Sequence, residues 1–177
     1  MQVNTNGVIS LGSSFISPSG RGSDFGSVLY SPPFIAPFWD NTDITKGGNI
    51  TYRQVSDDNT LQKIHQEIST LYPGLGSARP RLIFLATWEH VPPNRAVAPS
   101  TDRNTFQVYV ASNGTWTIVR FCYGVIEWAT NSTLIGVSAG GFNAQDYVTH
   151  PVSLNGEAIK QLSGSTAFYR IDKGRTS

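Results

Sequence analysis

The chain is 177 residues long, with a formal charge of +1, a pI of about 7.9, 17 glycines, ten prolines and a single cysteine. The near-balanced charge leaves no basic footprint for nucleic acid, one cysteine excludes a small disulfide-stapled fold, and no run approaches the roughly 18 apolar residues that span a bilayer. These limits leave one domain with a real core, and the abundance of Thr, Val, Phe, Tyr, Trp, Gly and Pro favours strands joined by turns.

Residues 3–11 read as a strand pair around Asn6-Gly7, with Val8, Ile9 and Leu11 apolar. Because the chain opens inside such a hairpin and shows no charged and apolar leader, it is expected to be a fragment of a longer protein, with any signal peptide upstream. Residues 12–33 are rich in Ser, Gly and Pro and predict a long irregular loop. Its Arg21-Gly22-Ser23-Asp24 has one residue too many for an Arg-Gly-Asp tripeptide. Residues 34–55 organise the chain: an apolar and aromatic strand (Phe34, Ile35, Phe38, Trp39), an acidic loop (Asp40, Asn41, Asp43), a Gly47-Gly48 turn and a second strand from Ile50 to Val55.

Residues 56–72 predict the one helix. Asp57 or Asp58 caps it, and Leu61, Ile64, Ile68 and Leu71 share a face, with Lys63, Gln66 and Glu67 falling away from it. His65 sits beside that face, with no partner at i+4. Residues 81–91 are apolar on both faces and predict a central, doubly covered strand. Residues 92–103 predict a surface loop. Residues 105–111 and 115–123 form the clearest hairpin, turning at Asn113-Gly114. Trp116, Ile118, Arg120 and Cys122 face one way; Thr117, Val119, Phe121 and Tyr123 face the other. Residues 125–129 and 134–139 are expected to continue the meander, and a last strand is expected at 167–171. The expected domain is 1–172, with 173–177 a tail. Its fold class is mainly β (α+β): an antiparallel, sandwich-like or strongly curved sheet with one amphipathic helix packed on it.

Several residue groups suggest chemistry. Gly136-Val137-Ser138-Ala139-Gly140 matches the Gly-x-Ser-x-Gly elbow of serine hydrolases, and Asp146 and His150 follow in that order. The elbow needs a strand, a sharp turn and a helix in a parallel sheet, whereas Ser138 lies inside a strand-like run. Asp40, Asp43 and Glu89 are the carboxylates from which an acid–base pair would be drawn. His65, His90, His150 and Cys122 have no zinc-site spacing. Asp40, Asn41 and Asp43 are the calcium candidates, since closely spaced side-chain and loop oxygens suit a hard cation, although the same residues also build plain turns. No other cofactor is expected. The four tryptophans, at 39, 88, 116 and 128, would serve a sugar-binding platform if exposed, and the core if buried. Sequons stand at Asn49, Asn113 and Asn131, Asn113 being favoured as an exposed hairpin tip. Cys122 is either a buried free thiol or a bridge to a neighbouring domain or chain.

Pro37-Phe38-Trp39 with Asp43, Gly47-Gly48 and Tyr52-Arg53; Thr87-Trp88-Glu89 with Val91; Asn104-Thr105-Phe106-Gln107-Val108; Tyr123-Gly124 with Trp128; and Gly140-Gly141-Phe142 follow one another in that order. Together, from about Asn6 to Leu154, they resemble the NIDO domain, the extracellular module found in nidogen, alpha-tectorin and some membrane mucins and sushi-domain proteins. The resemblance implies that the helix covers one face of a sheet. It also implies an acidic residue where this chain has Asn41, so a carboxylate has moved. By this resemblance the expected function is a non-catalytic extracellular adhesion or matrix-interaction module of a larger mosaic protein, secreted or membrane-anchored. Its expected partners are extracellular matrix or cell-surface proteins and neighbouring domains of the same chain, without nucleic acid and without direct membrane insertion. A lectin-like carbohydrate-binding domain and a serine hydrolase are the alternatives.

Overall fold

The structure, a computed structural model, describes residues 1–12, 33–75, 79–94, 101–130, 133–138, 147–149 and 161–171. Among them are ten strands and one α-helix, arranged as two five-stranded antiparallel sheets. The first sheet has the order β1-β2-β3-β8-β9, from Gln2–Asn4, Val8–Ser10, Phe34–Trp39, Leu134–Ser138 and Tyr147–Thr149. The second has the order β10-β7-β6-β5-β4, from Thr166–Arg170, Thr117–Tyr123, Asn104–Ser112, Leu82–Val91 and Asn49–Val55. Helix α1 spans Asp58–Leu71.

Alternation along the strands builds the layers. Ile9, Ile35, Phe38, Ile135 and Val137 of the first sheet meet Ala86, Trp88, Val108, Val110, Phe121 and Tyr123 of the second in one buried cluster. The opposite face of the second sheet presents Val55, Ile83, Tyr109, Ala111 and Ile118 to Ile64 and Ile68 of α1. Apolar residues on both faces of β5 are thus explained: one row enters the sandwich and the other lies under the helix. All six residues of β3 are buried. This is the mainly β sandwich with a packed helix that the sequence predicts.

Several local expectations need correction. Residues 125–129 form no strand, because the Asn104 side chain takes a strand's place: its Oδ1 accepts from Glu127 N and Trp128 N, and its Nδ2 donates to Trp128 O. Strand β8 does not continue the meander but crosses to the first sheet and pairs with β3 and β9. Pro92 and Pro93 are buried rather than part of a surface loop, and Pro93 forms a bridge with Thr42. On α1, Leu71 is exposed at the last turn, while Glu67 turns inward; three residues beyond Ile64, it borders the apolar face and reaches the sheet. The loop 12–33 is described only at its two ends. Gly140-Gly141-Phe142 and residues 173–177 lie outside the described residues.

Candidate functional site

Several of the motif residues, among them Phe38, Trp88, Phe106, Tyr123 and Trp128, converge where β3 leaves the first sheet. Pro37 has no N–H to give the ladder, and the β3–β8 register shifts between Ala36 and Trp39. The next amide, Phe38 N–H, donates instead to Gly7 O, in the turn between β1 and β2. Gly7 has φ +76°, and a Cβ there would fall 1.9 Å from Phe38 O, so only glycine fits. Phe38 then packs on Phe106 and edge-on to Trp128, and Trp88 stacks on Phe106 with centroids 5.1 Å apart. Three of the ring tips here have partners: Trp88 Nε1–H donates to Asn4 O, Trp128 Nε1–H to Val91 O, and Tyr123 Oη–H to Pro37 O at 2.8 Å.

The acidic loop completes this knot while carrying the chain from the first sheet to the second. Asp40 is buried, and its carboxylate accepts from Thr130 N at 2.8 Å, from the hydroxyls of Thr130 and Thr133, and from Asn41 N at 2.7 Å. Hydrogen bonds to a charged group contribute about 1.5–3 kcal/mol each, which holds a buried carboxylate against its desolvation. Thr42 donates through N–H to Asn6 Oδ1 and through its hydroxyl to Thr5 O. Asn41 and Asn94 pair through both backbone and side chain. Asp43 caps the short 3-10 turn Ile44–Lys46: it accepts from Thr45 N and Oγ1, and lies 3.1 Å from Lys46 Nζ. The Thr45 hydroxyl, and Lys46 after it, hold the Asp43 carboxyl below its ordinary value. Gly48, at φ +84°, lies so close to His90 O that a Cβ would sit 2.8 Å away. The turn thereby locks onto the irregular end of β5, where His90 has φ 52°.

The three calcium candidates are each engaged within the protein: Asp40 by Thr130, Thr133 and Asn41 N, Asn41 also by Asn94, and Asp43 by Thr45 and Lys46. Among the described residues, no group of three or more His, Cys, Asp or Glu could hold a metal ion. Glu89 is exposed on β5 opposite Asn49. Ser138 stands in β8 between antiparallel partners, opposite Phe34 and Tyr147, so the strand–turn–helix setting of a nucleophile elbow is not formed in a parallel sheet; Asp146 and His150 lie outside the described residues. All four tryptophans are buried, which withdraws them from sugar stacking, although Trp116 and Trp128 lie outside strands rather than within them.

Of the sequons, Asn49 is exposed at the start of β4. Asn113 is half-buried, not a bare tip, because its Oδ1 accepts from Thr115 N and Trp116 N to close the hairpin. Asn131 lies outside the described residues, but Thr133, the third residue of its sequon, spends its hydroxyl on Asp40. Cys122 is half-buried on the helix-side face of the second sheet, and burial pushes its thiol up from 9.0. On the same face, Arg120 Nη1 lies 2.6 Å from Glu67 Oε1 and the Tyr109 hydroxyl donates to Glu67 Oε2. Sequence reasoning missed this trio and the role of Asn104. Arg120 and Tyr109 alternate with apolar residues as surface positions would, and Asn104 is an ordinary strand-starting residue until its neighbours in space are known.

A nidogen-like domain model matches residues 1–171. Dendrite extension defective protein 1 of Caenorhabditis elegans is 32% identical over 146 residues, 81% of this chain and 12% of that protein. Mouse alpha-tectorin is 32% identical over 179 residues, covering 98% of this chain and 8% of its own length. Mouse nidogen-2 is 35% identical over 129 residues, 70% of this chain and 9% of that protein. The chain thus spans about a tenth of the length of these curated relatives, and no solved structure matches it. The motifs that knit β3 to the second sheet, and the match along nearly the whole chain, place it in one family: it belongs to the nidogen-like, or NIDO, domains.

Proposed function

We propose that this domain is a non-catalytic binding module of a larger extracellular protein, secreted or membrane-anchored, and that it contacts matrix or cell-surface partners. The observation that carries the reading is the family match over residues 1–171, with relatives such as nidogen-2 and alpha-tectorin of which the chain corresponds to a small part. The chemistry is consistent with a structural role for several motif residues, whose polar groups bond within the domain: Trp88 to Asn4 O, Asn104 to residues 127 and 128, and Tyr123 to Pro37 O. Among the described residues no helix is long and apolar enough to cross a membrane. In this reading Asn49 and Asn113 carry N-glycans, and Cys122 is the position from which a bridge to a neighbouring domain would form.

Secretion from mammalian cells tests the compartment. Intact mass before and after deglycosylation should show glycans that the glycosidase removes; an unmodified chain retained in the cell would count against an extracellular role. Binding is tested by layering the secreted domain over cell-derived matrix, beside an unrelated β-sandwich of similar charge. Retention above that control is expected, and equal wash-off would sink the adhesion reading. Labelling of Ser138 by a fluorophosphonate probe would overturn the non-catalytic one.

A further inference from the structure

An asparagine side chain cyclises most readily when glycine follows it, because no Cβ crowds the attacking amide. Asn-Gly occurs three times in the sequence, and one copy, Asn155-Gly156, lies outside the described residues. The fold treats the other two in opposite ways. Asn6 is buried, its Oδ1 accepting from Thr42 N–H, and Gly7 is so enclosed by Phe38 that even a Cβ has no room. A ring closing there has neither space nor water. Asn113-Gly114 stands in the tip of the β6–β7 hairpin, where Gly114 and Thr115 are exposed. Apart from its two chain neighbours, no atom lies within 4 Å of where a Cβ on Gly114 would stand.

The contacts at this tip favour the reaction. Asn113 Oδ1 accepts from Thr115 N–H at 2.9 Å and from Trp116 N–H at 3.0 Å, two donors converging on one carbonyl oxygen. Such a pair stabilises the oxyanion that forms when a nucleophile adds to the carbonyl carbon. Gly114 N–H in turn donates to Ser112 Oγ at 3.2 Å, which polarises the amide that must lose its proton to attack. Asn113 N–H is itself fixed to Trp116 O, so the carboxamide and the glycine amide are held in one turn.

We infer that Asn113 is a site of spontaneous deamidation and isomerisation in the folded domain, wherever its side chain carries no glycan. Gly114 N adds to Asn113 Cγ, the Cγ–Nδ2 bond breaks, and Nδ2 departs as ammonia after taking up the Gly114 amide proton through water. Water then opens the succinimide at either carbonyl, giving isoaspartate or aspartate. An N-glycan on Nδ2 blocks this leaving group, so the two fates of that nitrogen exclude each other. The inference therefore does not depend on the glycosylation proposed above. Each event lowers the net charge of the chain from +1 by one negative charge and abolishes the sequon. Isoaspartate also lengthens the backbone by one carbon, which breaks the paired bonds to Thr115 and Trp116. Trp116 is buried in the cluster beneath α1, so the change reaches the core of the helix-covered face.

The test uses the 177-residue chain made in bacteria, without glycans. It is aged at mildly alkaline pH, folded and in urea, and its peptides are mapped with an isoaspartyl methyltransferase as probe. In the folded chain, isoaspartate should form at 113 within about threefold of the rate in urea, since the two donors offset the restraint of the turn. Asn6 should convert at least about a hundredfold more slowly than in urea, because it reacts only when its hairpin and β3 come apart. The thermal midpoint should fall as isoaspartate accumulates. It should hold steady over the same time in Asn113→Gln, whose longer side chain closes a ring far more slowly. An Asn113 that converts in urea but persists in the folded chain would overturn the inference, because the turn would then protect it. Aspartate without isoaspartate would overturn the cyclic route, and equal conversion of Asn6 and Asn113 in the folded chain would overturn the selectivity.

Discussion

The two faces of the second sheet use polar side chains in opposite ways. On the sandwich side, beside the end of β3, buried polar groups tie the layers together: Asp40 accepts from two threonines and Asn41, Asn104 grips residues 127 and 128, and Tyr123 reaches Pro37 O in the other sheet. On the outer side, beyond the part that α1 covers, Thr51, Thr87, Gln107, Cys122 and Thr166 lie in one cross-strand row, none of them fully buried. The family motifs fall mainly in the first region. They identify the domain because they tie the two sheets together, and the partner surface proposed above would be sought in the second, whose side chains are not locked into the core.

Cutting the knot should produce the largest effects. Trp88→Ala removes a fully buried ring and its bond to Asn4 O, and is expected to cost about 3–5 kcal/mol in urea unfolding at constant slope. Asp40→Ala removes the acceptor shared by Thr130 N–H and the hydroxyls of Thr130 and Thr133, leaving Thr133 its bond to Thr130 O, with an expected loss of about 3 kcal/mol. A loss below about 1 kcal/mol would mean that water replaces the carboxylate and that the knot is not what couples the sheets. The same contacts bear on calcium. With the oxygens of Asp40 and Asp43 already engaged, neither calcium nor a chelator should move the thermal midpoint; a rise with calcium would show the loop reopening into a cation site.

A step down in size, one bond from each face sharpens the contrast. Tyr123→Phe deletes the buried link to Pro37 O and should cost about 1–2 kcal/mol, independent of salt. Glu67→Gln weakens the contact with Arg120 on the outer face, where both side chains are about a quarter exposed. It should cost about 1 kcal/mol or less, and the loss should shrink in high salt. If the outer pair proved the costlier, the division between a structural and a permissive face would fail. Cys122 probes that face without altering stability. Its raised thiol should alkylate more slowly than a free cysteine at pH 8, and faster as pH climbs past the ordinary thiol range. Rapid labelling at pH 8 would show an open face there.

Local pattern carried the second sheet far better than the first. Strands β4 to β7 are sequence neighbours linked by a helix, a loop and a hairpin, so alternation at residues 82–88 and 117–123 sufficed to assign their faces. The first sheet joins residues 34–39 to 134–138 across the length of the second. Nothing local in Leu134–Ser138 distinguishes joining β3 from extending a meander. The candidate site was legible as composition and obscure as geometry. Asp40 stood out as a carboxylate after an aromatic run, but the threonines that hold it are 90 and 93 residues away. Residues 125–129 looked like a strand for the right reason, burial of Ile126 and Trp128, and were misread because a side chain can satisfy a backbone as well as a ladder can.

The smallest expected effect lies at the exposed entrance to the outer face. Asp57 caps α1 by accepting from Thr60 N at 2.9 Å, and the Thr60 contacts, side chain first, hold its carboxyl below the ordinary 3.8. Asp43 is held low by Thr45 in the same way. A carboxyl whose folded value is depressed stabilises the fold fully above its unfolded value. That contribution disappears as pH falls through the depressed one. Both caps should therefore be silent from neutrality down to about pH 4 and should weaken only below it. Asp57→Asn keeps an acceptor for Thr60 N but has no charge to titrate, so its thermal midpoint should lie slightly below wild type at pH 7 and converge with it at about pH 2.5. Curves that stay parallel to that pH would place the acid sensitivity elsewhere.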